Sequence, residues 1–469
     1  MVTHRIAVGL LACALVAGCA TVGPDYHVPD TAAINAPAAQ GRFVAASAGT
    51  RVDALPPRWW ELYHDPVLDD LIARTLAANT GLRVAEAQLE RNQALVEEAR
   101  SQRYSASVDA ATAWTHPSEE AVLKRVGVKP YENYNAGVSA AYDLDLFGAI
   151  RRGVEAASAD DEAAVAARDL VRVHVVAETV RAYADVCNAG HDIALMQQQI
   201  AVAQDDVRLT QVSVDHGRTS PVEITHQQDV LATVQAQLPA LKAVQRNAAF
   251  RLATLAGRPP AEADPALLAC NQPLVLDHPI PVGDGQGLLR RRPDVRAAER
   301  RLAASTARIG VATAALYPDI KLGISVGSTG KAVDAATGYT NRFAVGPLIS
   351  WNLNRDAVRA RIAQADAQSR ASLAVFDDTV LAALQEVETS LETYAADLDR
   401  QTDLVAARDS ARLRAAQMDE LRKGGRIDSL SLLAAERDRW VAEGALAASQ
   451  RTINRDQVAI FLALGGGWE

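Results

Sequence analysis

Beyond its first eighteen residues the chain has no apolar run long enough to cross a bilayer as a helix, which takes about twenty residues. Basic residues are in the minority: 48 lysines and arginines stand against 57 aspartates and glutamates, a net charge of −9. With no basic excess or stripe to neutralise phosphates, nucleic acid is excluded as the main partner. Cysteines are too few for a disulfide framework: Cys13, Cys19, Cys187 and Cys270 are all there are. Cys187 and Cys270 read as free buried thiols, one bridge in an oxidising compartment being the alternative. Metal-ligand spacing is missing too, since His174 and Glu178 share a helical face without a third ligand. Gly330-Lys331 fails as a phosphate loop, because Ala332 follows it and Ser325 stands where the first glycine is needed. Gly465-Gly466-Gly467 opens no helix, and no nucleophile elbow is visible. Arg290-Arg291-Arg292, followed by Pro293, suits a helix start or a subunit contact better than an anion site. No catalytic group, metal or cofactor is expected.

What the chain does have is alanine. Hydrophobic residues make up 49% but aromatics only 5%, and alanine-rich sequence favours helices that approach one another closely. At the N-terminus Arg5 precedes an apolar run over 6–17, and Val16-Ala17-Gly18-Cys19 follows. A short apolar stretch ending in small residues is a secretory signal, too short for a span. The cysteine after Ala-Gly matches the bacterial lipobox, so residues 1–18 are expected to be removed and Cys19 acylated, with palmitate among its chains. Several buried acyl chains, at ~0.8 kcal/mol per CH₂, hold a protein at a membrane. Ala20 rather than aspartate follows, which favours outer-membrane sorting.

The sequence repeats itself. Residues 83–89 resemble 296–302, 144–156 resemble 353–365, Gly217-Arg218 matches Gly425-Arg426, and Ala256-Gly257 falls on Leu464-Gly465. The matches keep their order, so each half encodes one supersecondary unit, at a period far too long for a solenoid. Within each half apolar positions recur at alternating steps of three and four: Leu170, Val173, Ala177, Val180, Ala184 and Cys187, then Leu373, Phe376, Val380, Ala383, Val387, Ser390 and Tyr394. This heptad-like seam predicts coiled-coil helices of about 70 residues, roughly 100 Å at 1.5 Å per residue. Polar breaks at 216–221 and 423–428 turn each helix, and a second long helix is expected to return.

Between helices the period drops to two. Tyr134, Ala136, Val138, Ala140, Tyr142 and Leu144 alternate with small or polar residues; so do Ile320, Leu322, Ile324 and Val326, and Ala106, Val108, Ala110 and Thr112. Phe343, Val345, Ile349 and Trp351 complete a fourth run, although Pro347 interrupts its ladder. Ten of the 22 aromatics fall within 104–147 and 317–351, as interfacial girdles require. Runs of about ten residues with one apolar face suit a membrane barrel, with Tyr134, Val138, Tyr142, Leu322, Ile324 and Val326 facing lipid. Four strands cannot close a barrel, and lipid tolerates no open sheet edge. The missing strands must come from other copies of the chain. Three copies would give twelve strands, though the edge argument does not fix the number. A lipid-anchored coiled-coil scaffold that never enters the bilayer is the alternative from another class.

Residues 19–26, Cys-Ala-Thr-Val-Gly-Pro-Asp-Tyr, and 59–66, Trp-Trp-Glu-Leu-Tyr-His-Asp-Pro, resemble the start of mature outer-membrane efflux factors. These are TolC-like proteins, more closely the OprM- and NodT-like lipoproteins of tripartite efflux pumps. Asp143-Leu144-Asp145-Leu146-Phe147-Gly148, Arg290-Arg291-Arg292-Pro293-Asp294-Val295-Arg296 and Leu464-Gly465-Gly466-Gly467-Trp468 carry the likeness through the mature chain. The resemblance implies a fold that is mainly α with a membrane β-barrel: a long α-helical coiled-coil barrel plus four strands per protomer, internally duplicated, the homotrimer forming a twelve-stranded barrel. It also implies a passive export duct with a periplasmic tip gated by an iris-like motion. The tip would dock on a periplasmic adaptor and an inner-membrane transporter of the RND or a similar class, as in multidrug resistance. On this reading 19–58 is an extended strap, 59–257 the first repeat, 258–293 a proline-rich linker at the tunnel equator and 294–469 the second repeat. Relatives carry a pore-facing aspartate where Ala434 stands here. Arg426, Asp428, Ser431 and Glu436, with Arg218, Glu223 and Asp229 in the repeat-related segment, are the candidate gate residues. Plain solvated helix faces are the alternative for each.

Overall fold

The computed structural model describes residues 21–47, 49–116, 118, 127, 129–335 and 337–467. The signal segment, Cys19, most of the 117–130 loop and Trp468 lie outside the described residues. In chain order the elements are β1 (Thr50–Arg51), α1 (Pro66–Ala78), α2 (Thr80–Ser101), β2 (Tyr104–Thr115), β3 (Tyr131–Asp143), α3 (Ala149–Asp215), α4 (Pro221–Gln235), α5 (Leu238–Leu255), β4 (Ile280–Pro281), α6 (Gly285–Arg291), α7 (Pro293–Ala314), β5 (Asp319–Lys331), β6 (Asn341–Ser350), α8 (Arg355–Lys423) and α9 (Ser429–Ala463). They fall into two compact units. One holds the residues up to Pro29 with Gln88–Val165 and Ala297–Phe376; the other holds Asp30–Ala87, Ala166–Arg296 and Asp377–Glu469.

The first unit contains a four-stranded antiparallel sheet ordered β2-β3-β5-β6. All four period-two runs are strands, and Pro347 sits on edge strand β6 opposite Leu322, where a missing N–H costs no ladder bond within the sheet. The corner between β3 and α3 explains the 143–148 motif. Asp145, at φ 48°, is buried and accepts the N–H groups of Ile150 at 2.8 Å and Arg151 at 3.0 Å, satisfying first-turn donors of α3. The chain start docks here through side chains: Arg152 donates to the carbonyls of Val22 and Gly23 and pairs with Asp25 at 2.7 Å.

The second unit holds the main core. Val173, Ala177, Val180, Ala184 and Cys187 on α3, and Val380, Ala383 and Val387 on α8, are buried as the seam predicts. Motifs from the two chain ends meet in it. Trp59 stacks on Phe461 with ring centroids 4.3 Å apart, and Gly466 leaves the room, since a Cβ there would lie 3.0 Å from the Trp59 ring. The arginine cluster stands at a helix start, as its spacing predicts, since α7 opens at Pro293 directly after Arg292; it also closes another helix. Arg291 donates twice to the Leu464 carbonyl and Arg292 once to that of Ala463, satisfying orphan acceptors at the end of α9.

Two expectations are corrected. Cys187 and Cys270 form a disulfide, not free thiols. The linker lies flat on α3 because Gly190 has no side chain: a Cβ there would stand 1.9 Å from the Cys270 carbonyl oxygen, and the two Cα atoms are 4.7 Å apart. The returning helix of the first half is not one helix but two, α4 and α5. Pro239 stands in the first turn of α5 and offers no N–H to continue α4.

Candidate functional site

The residues singled out in the sequence fall in two places, the sheet and the helix turns. The register aligns Tyr104, Tyr142, Leu322 and Pro347 in one row, Ala106, Ala140, Ile324 and Val345 in the next, and Val108, Val138, Val326 and Phe343 in a third. Paired residues of an antiparallel ladder share a face, so these rows form one apolar surface across four strands. No described residue covers it: Val108 is 79% exposed, Phe343 84% and Val345 76%. Of the six positions expected to face lipid, Val138, Tyr142, Leu322, Ile324 and Val326 lie in these rows. Tyr134 keeps the same face but its hydroxyl bonds Ser328 at 2.6 Å and Thr340 at 3.0 Å, tucked under the β5–β6 connection. Among the described residues, strands β2 and β6 have no partner on their outer sides.

The two turns are built alike. Gly217 and Gly425 take φ +65° and +67°, a left-handed geometry that glycine adopts without strain. Gly217 donates to Val214 at 2.8 Å and Arg218 to Ser213 at 2.9 Å; Gly425 donates to Arg422 at 2.9 Å and Arg426 to Leu421 at 2.9 Å. Both are Schellman turns. The aligned Gly-Arg pairs of the two halves therefore do the same structural job.

Around these turns the candidate gate residues are engaged to different degrees. Asp428 caps α9 by accepting the Ser431 amide at 2.9 Å and its hydroxyl at 2.6 Å, and these bonds hold its carboxyl below the usual range. Glu223 accepts from Gln227 at 2.8 Å, and Glu436 pairs with Arg439 at 3.1 Å. Arg218, Arg426, Asp229 and Ala434 are exposed. One carboxylate escaped the sequence reading. Burial of Asp206 on α3, reinforced by Glu436 and Asp205, pushes its carboxyl up to about 6. Its signal in sequence was only a second aspartate beside Asp205. Among the described residues no group of His, Cys, Asp and Glu is placed to hold a metal, and no helix is long and apolar enough to cross a membrane.

Comparison with known proteins agrees with this geometry. The outer membrane efflux protein family matches residues 71–258 and 285–466, most of the chain in two stretches. The chain is 28% identical to the probable efflux pump outer membrane protein TtgC of Pseudomonas putida, over 97% of this chain and 94% of that one. It is 26% identical to nodulation protein T of Rhizobium leguminosarum bv. trifolii, over 97% and 96%. Among solved structures, the outer-membrane channel OprN is 34% identical, with a TM-score of 0.86 over 96% of this chain and all of that one. The open state of the MtrE outer membrane channel of Neisseria gonorrhoeae is 25% identical, with a TM-score of 0.80. A duplicated chain of paired long helices, with an amphipathic sheet whose apolar face no described residue covers, thus belongs to the outer membrane efflux protein family and is an outer-membrane efflux channel protein.

Proposed function

We propose that three copies of this chain form a passive exit duct, carrying small molecules received from an inner-membrane transporter through a periplasmic adaptor. The observation that carries this reading is the four-stranded sheet, apolar and uncovered on one face and unpaired at both edges. Such an edge is not tolerated in hydrocarbon, and neighbouring copies relieve it by pairing β6 of one with β2 of the next. Twelve strands in a closed cylinder result, with the helices continuing as a tunnel in the periplasm. Cys19 is the lipid anchor, 19–58 the strap, 59–257 and 294–469 the two repeats and 258–293 the linker between them. The turns at Gly217 and Gly425 form the periplasmic tip, where Arg218, Glu223, Asp229, Arg426, Asp428, Ser431 and Glu436 line or brace the gate and meet the adaptor. Energy comes from the transporter. A tripartite assembly of this kind is supported by the pump components among the relatives, TtgC being described as part of an efflux pump.

Purified mature protein is expected to run as a heat-modifiable trimer and to conduct ions in a planar bilayer. A strain lacking the chain is expected to become more susceptible to toxic compounds. A stable monomer whose strands are cut by periplasmic protease in intact cells overturns the reading.

A further inference from the structure

The face of the sheet opposite the apolar rows is nearly without charge along its middle. Between the row of Lys321 and the row of Lys331 lie Ser105, Ala141, Gly323 and Gly346, then Ser107, Ser139, Ser325 and Ala344, then Asp109, Gly137, Gly327 and Arg342, then Ala111, Asn135 and Thr329. The charges in these four rows are Asp109, on edge strand β2, and Arg342, on edge strand β6. They are joined across the sheet. Arg342 Nη2 donates to Asn135 Oδ1 at 2.9 Å, Asn135 Nδ2 donates to Asp109 Oδ2 at 2.6 Å, and the guanidinium lies 4.0 Å from that carboxylate. The two glycines between them make this possible. A Cβ at Gly327 would stand 3.3 Å from Arg342 Cζ, and one at Gly137 3.0 Å from Nη2. A side chain at Gly137 would press first on the guanidinium, whereas one at Gly327 would first meet the Ala136 carbonyl oxygen at 2.5 Å. Arg342 is thus laid flat on backbone and held there by a charge-assisted bond at its end.

Resting on the reading that this face lines the duct, we infer that the Asp109–Asn135–Arg342 belt is a selectivity element of the barrel lumen, with Arg342 the residue that sets its preference for anionic over cationic solutes. A fixed pair of opposite, partly exposed charges, Arg342 at 39% and Asp109 at 50% of side-chain surface, sets the local potential in an otherwise neutral stretch of wall, Arg342 favouring anions and Asp109 opposing it. Its reach is on the order of a Debye length, about 8 Å at physiological ionic strength. A free arginine would swing and average its field over the lumen. The belt keeps it at one depth, and Asp109 limits its strength. Charged rings of this kind discriminate ions in pores. Closure into a trimer would repeat the belt three times at one level.

The test reads the potential inside the barrel directly and does not depend on whether the periplasmic tip is open. Ala111 is exposed on the same face, two residues from Asp109 and opposite Asn135. Full-length protein carrying A111C is labelled in intact cells with impermeant methanethiosulfonates of either charge; Cys187 and Cys270 are bridged and do not react. In this background Arg342→Gln is expected to lower the ratio of anionic to cationic labelling rates by roughly fourfold, about twofold for each reagent. Asp109→Asn is expected to raise it. The glutamine keeps a donor for Asn135, and heat-modifiable oligomer confirms assembly of each variant. If A111C labels and Ala110→Cys, on the opposite face, does not, but the ratio is unchanged by both substitutions, the belt inference fails and the duct reading stands. If A110C labels as fast as A111C, or A111C with neither reagent, the faces are misassigned and both fall.

Discussion

The two helical hairpins of the duplicated chain share their turn and differ in nearly everything that holds them together. In the first, α3 and the broken return of α4 and α5, the fastening is at the base. Arg251 pairs with Asp185, Gln245 donates to the carbonyls of Val186 and Leu268, and Cys187 is bonded to Cys270. Toward its turn, no ion pair joins α3 to α4 among the described residues. In the second, the return helix α9 is continuous over 35 residues and ion pairs cross to α8 well down the hairpin, Arg412–Glu443 and Arg414–Asp438 at 2.8 and 2.7 Å. Duplication therefore preserved the glycine geometry that a helix reversal demands and left the lateral bonding free to diverge. One hairpin is pinned at the root and loose at the tip; the other is laced along its length.

The largest expected effect comes from unpinning the first hairpin. The disulfide closes a chain separation of 83 residues, and by loop-closure entropy its removal costs about 4.5 kcal/mol as an upper value. Cys187→Ser, or reduction of the native protein, is expected to lower the thermal midpoint of helix unfolding by circular dichroism. Cys270→Ser is expected to match it. Gly190→Ala supplies an independent route: its methyl collides with the Cys270 backbone, so free thiols are expected to appear under oxidising conditions. Equal midpoints for oxidised and reduced protein would remove the distinction between the hairpins.

The second hairpin has a weak point of its own. Asp456 on α9 faces Asp397 on α8, and burial followed by its contact with Asp397 pushes the Asp456 carboxyl up to about 7. An unfolded aspartate titrates near 3.9. Between those values the native state holds a proton that the unfolded chain has released, so this group's contribution is full below pH ~4 and is lost as pH rises through about 7. Asp456→Asn is expected to be more stable than wild type at pH 8 by roughly 1 kcal/mol, allowing for the carboxyl's partial exposure. The gap is expected to close near pH 4. A pH-independent difference in thermal midpoint would show that the Asp456 carboxyl is not raised as described.

How much of this contrast is readable without coordinates depends on the range over which each signal acts. The long helices, their turns at 216–221 and 423–428 and the four strands come from local periodicity and glycine placement, and the structure places all of them within a few residues. Gly217 and Gly425 are legible because a Schellman turn is a local event. The disulfide is not, because nothing near Cys187 or Cys270 marks them as neighbours; Gly190 is the enabling residue, and a glycine inside a helix has many readings. The break at Pro239 is a local event, and proline in a helix interior is its sequence signal. Arg291 and Arg292 share the disulfide's limit, since their acceptors lie at the far end of the chain. Among candidate gate residues, Asp428 and Ser431 are visible as a capping pair by spacing alone. Asp206 is not, because its partner Glu436 belongs to the other half.

The smallest effect tests whether the lacing of the second hairpin is energetic or merely geometric. Arg414 and Asp438 are each about half exposed, at 52% and 54% of their side-chain surface, so water competes for both and the pair is worth on the order of 0.5 kcal/mol. Arg412–Glu443 differs, because the Glu443 side chain is only 10% exposed and its charge is less well screened. Arg414→Ala is therefore expected to speed amide exchange in the lower half of α9 by about twofold, while Arg412→Ala speeds it more, leaving Glu443 with Arg439 at 3.9 Å as its remaining partner. Salt should erase the first difference before the second. If exchange in α4 of the unmodified protein is already as slow as in the lower half of α9, cross-hairpin charge does not stiffen the tip, and the continuity of α9 past the position equivalent to Pro239 is the better physical account of the asymmetry.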